Sequence, residues 1–248
     1  MTTSLNKLLQ LDNIHKAFSE KKILAGIHLS LQEGEIGCLL GKSGVGKSTL
    51  FNIIAGVLSP DQGRVYLRGK DITNKPGQIA YMLQKDLLIE QKTVLDNVCL
   101  PMIIQGKKKK EAKENALAYF DLFGLKGYEK AYPSSLSGGM RQRAAFLRTY
   151  LASNDILLLD EPFSSLDAIT QKELYQWYLK VSQKLGLSTI FISHNIDEAL
   201  ILSDRIFILA GSPANIHQEL TLNKEGQEDF SLSQKFIDYK KTILSILE

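Results

Sequence analysis

One short segment carries the most specific chemistry in this chain: Gly41-Lys42-Ser43-Gly44-Val45-Gly46-Lys47-Ser48-Thr49. It fits the pattern G-x-x-x-x-G-K-[ST]. It follows an apolar run, Glu35 to Leu40, and precedes a second one, Leu50 to Ala55. A strand before and a helix after such a segment is the setting of a phosphate-binding loop. Its glycines let backbone N–H groups turn inward around an anion, and the helix N-terminus adds its positive end. On this reading Lys47 reaches the β- and γ-phosphates of a nucleotide and Ser48 places its hydroxyl on Mg²⁺.

Two further segments extend the chemistry. Ile156-Leu157-Leu158-Leu159-Asp160-Glu161-Pro162 is an apolar strand ending in adjacent acids. Burying such acids is costly unless they have partners. With a phosphate loop upstream, Asp160 suits a water-mediated hold on Mg²⁺ and Glu161 suits the general base that polarises an attacking water. Leu136-Ser137-Gly138-Gly139-Met140-Arg141-Gln142-Arg143 opens a predicted helix. Ser137 is placed to cap it, and Gly138 and Gly139 leave N–H groups open beside the positive helix end, a second cradle for phosphate. Two cradles and one phosphate loop per chain point to a head-to-tail homodimer, each nucleotide held by one copy's loop and the other copy's Ser137 segment.

These segments need a frame. Leu9, Leu11, Ile27, Leu29 and Leu31 alternate with polar residues, which predicts half-buried strands within residues 8–40. A helix is predicted from Thr49 to Gly56 and a strand from Arg64 to Arg68. From Thr93 to about Gly127 the pattern is helical, with Leu117, Phe120, Leu122 and Phe123 near one face; another helix runs from Gly139 to about Ser153. Strand and helix then alternate: Ile156–Asp160, Gln171–Leu185, Thr189–Ser193, Asp197–Leu202, Arg205–Leu209. This rhythm predicts an α/β P-loop core with a mostly parallel sheet and an N-terminal antiparallel part. The core spans about 8–84 and 154–217, a helical subdomain is inserted over about 85–153, and a helical tail follows over about 218–248, with Phe236, Tyr239, Ile243 and Leu247 at helical spacing.

Taken together, these motifs resemble the ATP-binding subunits of ABC transporters over residues 8–215. The resemblance identifies Gly41–Thr49 with the Walker A loop, Leu157–Glu161 with Walker B and Leu136–Arg143 with the signature loop. It implies ATP and Mg²⁺ as cofactors, and it adds four elements. Phe18 stands where the family stacks an aromatic, usually Tyr, on adenine. Gln84 matches the Q-loop glutamine, which senses Mg²⁺ and the membrane partner. Ser164-Ser165-Leu166-Asp167 matches the D-loop, which crosses the dimer interface. His194 matches the switch histidine at the γ-phosphate, with Asn195 in place of the more common Asp. Ser137, Gly138, Gly139 and Asp167 are thus implied to act on the partner copy's nucleotide, while Ser48, Gln84 and Asp160 would serve the metal.

Three stretches resemble the nitrate, sulfonate, taurine and thiamine-precursor importers: Met140–Arg143, Ser193–Ala199 and Ala210–Ile216. In the last, the Gly and Arg of the family's Pro-Gly-Arg-Ile are absent, and around Glu90-Gln91 the frequent Trp is missing. The implied partners are permease subunits docking near Gln84–Ile89 and an extracytoplasmic solute-binding protein. The alternatives are an export or lipid-extraction complex and a non-transport ATPase acting on nucleic acid or the ribosome.

Composition narrows the classes. The 248 residues hold 30 Lys+Arg and 27 Asp+Glu, a net charge of +3, a near-neutral balance that gives no support for a nucleic-acid binder. No apolar run approaches the ~18 residues of a membrane span. The N-terminus shows no signal peptide, because Gln10 and Asp12 interrupt Leu8-Leu9. Cys38 and Cys99 are too few for a disulfide framework and suit buried, reduced positions. The expected location is the cytoplasmic face of the membrane, as a peripheral subunit. His15, His28 and His217 have no metal-ligand spacing, and Lys107–Lys110 is expected to be a solvated helix start.

Overall fold

A computed structural model describes residues 7–153, 155–164, 166–224 and 230–247. Among them, one sheet has the strand order β5-β4-β1-β2-β10-β9-β3-β8-β7-β6, with β10 formed by Ala214–Thr221. The antiparallel flank is built from β1 (Lys7–Phe18), β2 (Lys21–Gln32), β4 (Gln62–Leu67) and β5 (Lys70–Asp71). The parallel part contains β9 (Arg205–Gly211), β3 (Ile36–Leu40), β8 (Thr189–Ser193), β7 (Leu157–Asp160) and β6 (Ala80–Met82).

The parallel strands read as continuous apolar runs because both their faces are covered. In β7, Leu157 and Leu159 enter one core while Ile156 (just before the strand) and Leu158 enter the other; β9 splits likewise, Ile206 and Ile208 against Phe207 and Leu209. One core is closed by α1 (Lys47–Ile54), through Leu50, Phe51, Ile53 and Ile54. The other is closed by α2 (Val94–Ile104), α3 (Lys109–Phe120), α4 (Gly138–Tyr150), α5 (Ala168–Leu185), α6 (Ile196–Leu202) and the tail helix α7 (Gln234–Leu247). The alternating Leu9, Leu11, Ile27, Leu29 and Leu31 are all buried.

Several boundaries differ from the sequence reading. The helical stretch from Thr93 divides at Gly106, whose φ of +94° suits glycine alone and ends the turn after α2. On α3 the buried face is Ala112, Ala116 and Phe120; Leu117 lies on the exposed side and Phe123 packs inside from the following turn. Lys107–Lys110 is exposed, with Lys109 3.5 Å from Asp96. The expected tail boundary near 218 gives way to β10 (Ala214–Thr221), which forms an antiparallel hairpin with β9 and touches β2 through Ala214 and Leu24. Only Ala214 of that strand is buried, so no apolar alternation marks it; its pairing with β9 makes it a strand. Both cysteines are buried and free.

Candidate functional site

Strand register assembles the site. Leu40 pairs with Ser193, Ile192 with Asp160, and Leu159 with Met82. The chain leaves these four strands side by side, so Gly41–Thr49, His194, Asp160–Glu161 and Gln84 emerge along one edge. Ligands bind at such carboxyl ends in open α/β sheets.

The phosphate loop is shaped by close approach. A Cβ at Gly41 would stand 2.6 Å from the carbonyl oxygen of Leu209, and Gly46 has a φ of +118° with Leu24 at 3.0 Å from the same hypothetical atom. Gly46 also precedes α1, whose N-terminus receives no side-chain cap, so the first N–H groups stay open to an anion. Lys47 is buried, and its Nζ donates to the carbonyls of Gly41 (2.8 Å) and Lys42 (2.9 Å). Burial holds its pKa below the usual lysine range, while Glu161 and Asp160 pull it back up. Ser48 is exposed. Ile23 and Leu24 of β2 abut Gly46, which brings the β1–β2 turn, and Phe18 at it, to the loop's side. Phe18 is 49% exposed, as a stacking platform requires, and the Lys16 ammonium lies 5.5 Å from the centre of its ring.

Asp160 accepts a hydrogen bond from the Tyr81 hydroxyl at 3.2 Å. Tyr81 stands edge-on to Phe51 of α1 with centroids 6.0 Å apart, which ties the two acids' strand to the phosphate-loop helix. Burial raises the Asp160 carboxyl above the usual range, Tyr81 opposes that, and the neighbouring Glu161 adds to it. A half-buried carboxyl destabilised in this way gains from a cation, and a carboxylate is the hard oxygen donor that Mg²⁺ takes. The residues present therefore fit that ion.

Glu161 holds a φ of +45°, a left-handed conformation that a side chain larger than Gly or Asn rarely adopts. Gln84 Nε2 lies 3.2 Å from Glu161 Oε2 and 3.2 Å from Ser164 Oγ, and His194 Nδ1 lies 3.1 Å from Glu161 Oε1. Gln84 and His194, far apart in sequence, thus converge on one carboxylate, each from a turn at a strand end.

The remaining residues form a second group. Ser137 caps α4 by accepting from the Met140 N–H at 3.3 Å. A Cβ at Gly138 would meet Leu166 at 3.0 Å, and one at Gly139 would meet Thr170 at 3.2 Å. Asp167 caps α5, accepting from the N–H groups of Ile169 and Thr170. Ser137, Gly138, Gly139 and Asp167 therefore sit together; Ser165 of the same loop lies outside the described residues. Among the described residues, no hydrogen bond joins Ser137 or its glycines to Gly41–Thr49.

In the segment after Gln84 the side chains divide between surface and interior. Of Asp86, Leu87 and Leu88, only Leu87 is an exposed apolar residue, at 54%, with Leu83 beside it at 44%. Leu88 is buried and Asp86 is held inward by the Arg141 fork, Nε at 2.8 Å and Nη2 at 3.2 Å. Arg141 also reaches Glu90 at 2.9 Å, and Arg148, two turns along α4, donates to the carbonyls of Leu87 and Asp86. Asn97, fully buried, bonds both the N–H and the C=O of Ile89. Asp86 is thus a structural anchor. Sequence reasoning missed Arg148, Asn97 and Tyr81 and gave Arg141 no partner, because each acts across long sequence separations with no local signature. Arg141→Ala is expected to cost about 1–2 kcal/mol, a fall in Tm of ~2–6 °C by thermal denaturation, since Asp86 loses a charge-assisted fork. An unchanged Tm would show the fork to be idle.

A parallel sheet with a phosphate loop after its central strand and an acidic pair after the second strand along defines a P-loop nucleoside triphosphatase. A family model described as ABC transporter matches residues 24–164. The chain is 41% identical to the formylaminopyrimidine import ATP-binding protein ThiZ of Halalkalibacterium halodurans, over 98% of this chain and 97% of that one. It is 33% identical to the nitrate import ATP-binding protein NrtD of Synechocystis, over 96% and 94% respectively. Among solved structures, the dimeric bacterial ABC transporter cassette MJ0796 superimposes with a TM-score of 0.72 at 29% identity, covering 87% of this chain and 99% of that one. The chain belongs to the ABC transporter family and is an ATP-binding, ATP-hydrolysing subunit of that family. Among the described residues no helix is long and apolar enough to cross a membrane.

Proposed function

We propose that this subunit powers import of a small solute, working as a head-to-tail homodimer on the cytoplasmic face of the membrane. The observation that carries this reading is the division of the site into two groups. Gly41–Thr49, Asp160, Glu161, Gln84 and His194 line one edge of the sheet, while Ser137 and Asp167 cap α4 and α5 and, among the described residues, no hydrogen bond joins Ser137, Gly138 or Gly139 to Gly41–Thr49. One copy's second group then completes the other copy's first.

In this reading the N–H groups of Gly44 to Lys47 and the Lys47 ammonium bind the phosphates, and Phe18 stacks on adenine. Ser48, Asp160 and Gln84 would hold Mg²⁺, which when bound neutralises charge on the phosphates. Glu161 takes the proton of the attacking water, and its carboxylate is aimed by Gln84 and His194. His194 also faces the γ-phosphate. The partner's Ser137 and glycine N–H groups contact that phosphate only when it is present, so binding favours the closed dimer and phosphate loss releases it.

Opening and closing does work only on something attached. Permease subunits dock at the Gln84–Ile89 segment, through exposed Leu87 and the adjacent Leu83, and Arg141 and Arg148 of α4 carry the motion to the Ser137 loop. An extracytoplasmic solute-binding protein delivers the solute; no nucleic-acid partner is expected. The importer names of ThiZ and NrtD support this direction and size of cargo.

The test is co-purification of the complex with its permease, reconstitution in vesicles, and ATPase assay with formylaminopyrimidine, nitrate or an alkanesulfonate outside. One solute is expected to stimulate turnover several-fold (~3–10, from coupled population shift) and to accumulate inside. Outward transport, or stimulation by ribosomes or DNA, would overturn the import reading.

A further inference from the structure

The loop that carries His194 rests on a buried carboxyl. Glu198, on α6, is 6% exposed, and its two oxygens face different elements. Oε2 accepts from the Ser193 hydroxyl, and Oε1 lies 3.3 Å from the Tyr175 hydroxyl on α5. Ser193 Oγ in turn accepts from the Asn195 N–H at 2.9 Å, so one hydroxyl spans His194 from before to behind. Asn195 caps α6, its Oδ1 accepting from the N–H groups of Asp197 and Glu198. The turn is pinned on both sides while the His194 ring stays 59% exposed and free to face Glu161.

The contacts close on themselves. Tyr175 packs edge-on against Phe163 at 5.1 Å, and Phe163 follows Glu161 by two residues. The circuit therefore runs from Glu161 to Phe163, Tyr175, Glu198, Ser193 and His194, and back to Glu161 through the 3.1 Å contact. Tyr175 stands two turns along the helix that Asp167 caps. Burial pushes the carboxyl of Glu198 up, and an apolar residue of similar volume would fill the space at less cost. What the carboxyl supplies is two fixed acceptors in a buried, satisfied network.

We propose that Glu198 is a positioning residue for hydrolysis: through Ser193 it sets the His194 ring against Glu161, and through Tyr175 it ties that pair to the Asp167 end of α5. This rests on the roles given above to Glu161 and His194. Removing the anchor lets the His194 turn relax, and misplacement of a reacting group by about 1 Å costs on the order of 100-fold in rate.

The test uses the full chain, measuring kcat, KM for ATP, Tm and ATP-dependent dimerisation for Glu198→Ala, Glu198→Gln, Ser193→Ala and His194→Ala. Glu198→Ala is expected to lower kcat ~10–100-fold with KM changed less than ~3-fold, and Glu198→Gln, which keeps the size and an acceptor, to recover kcat to within ~3-fold of the parent. If Glu198→Ala does not fold, Ser193→Ala reports the same loss of kcat. A folded Glu198→Ala or Ser193→Ala with parental kcat would overturn the proposal, as would a Glu198→Gln as slow as the Ala variant. A parental kcat in His194→Ala would instead remove the reading on which the proposal stands.

Discussion

Glu161→Gln is expected to bind ATP, to dimerise with it, and to hydrolyse it ~10²–10⁴-fold more slowly than the parent chain. The substitution keeps the shape that the site surrounds. Its amide oxygen still accepts from Gln84 Nε2, now 3.2 Å from Oε2, and its amide nitrogen takes the place of the oxygen 3.1 Å from His194. What it loses is the capacity to take a proton. Because the phosphate contacts lie in Gly41–Thr49 and in the partner's Ser137 loop, binding and closure survive while the step that reopens the dimer does not. Size-exclusion chromatography with ATP should show a stable dimer, and phosphate release should nearly stop. Normal turnover in this variant would take Glu161 out of the base role and leave its left-handed backbone unexplained.

Lys47→Ala removes the ammonium at the mouth of the phosphate loop. Its two hydrogen bonds to the Gly41 and Lys42 carbonyls are offset in part by the cost of burying the cation, which lowers its pKa. The nucleotide-free variant is therefore expected to stay folded, with the loop held by the glycine conformations and by Leu209 and Leu24. ATP affinity should fall ~10–100-fold, because a charge-assisted contact to the β- and γ-phosphates is worth about 1.5–3 kcal/mol. The rise in Tm that ATP gives the parent, which follows from binding to the folded state alone, should shrink or vanish. Unchanged ATP affinity by calorimetry would contradict the assignment of Lys47 to phosphate.

Arg141 and Glu198 share a physical theme. Each spends a partly or fully buried charge or carboxyl where an apolar side chain would pack, and each uses it to fix a loop that has no core of its own. Arg141 holds the turn after Gln84, and Glu198 holds the turn around His194. Loops built on strand ends cannot satisfy their backbone within the sheet, so side chains from neighbouring helices must do it.

Contiguous motifs were legible before any fold was known. Gly41–Thr49 must bend around an anion wherever it sits, because its glycines and its lysine are set by spacing along the chain, and Ser137 and Asp167 cap the helices that follow them for the same local reason. The apolar runs of β3, β7, β8 and β9 likewise announce a sheet covered on both faces. The neighbours of these strands were not legible. The order β3-β8-β7-β6, which carries His194, Glu161 and Gln84 to one edge, depends on pairing between segments as far as 153 residues apart, and pairing energy leaves no local mark. The hairpin β9–β10, the inward turn of Asp86 and the carboxyl beneath His194 were decided the same way: each is a contact whose partner is chosen by packing, and packing exists only once the chain has folded.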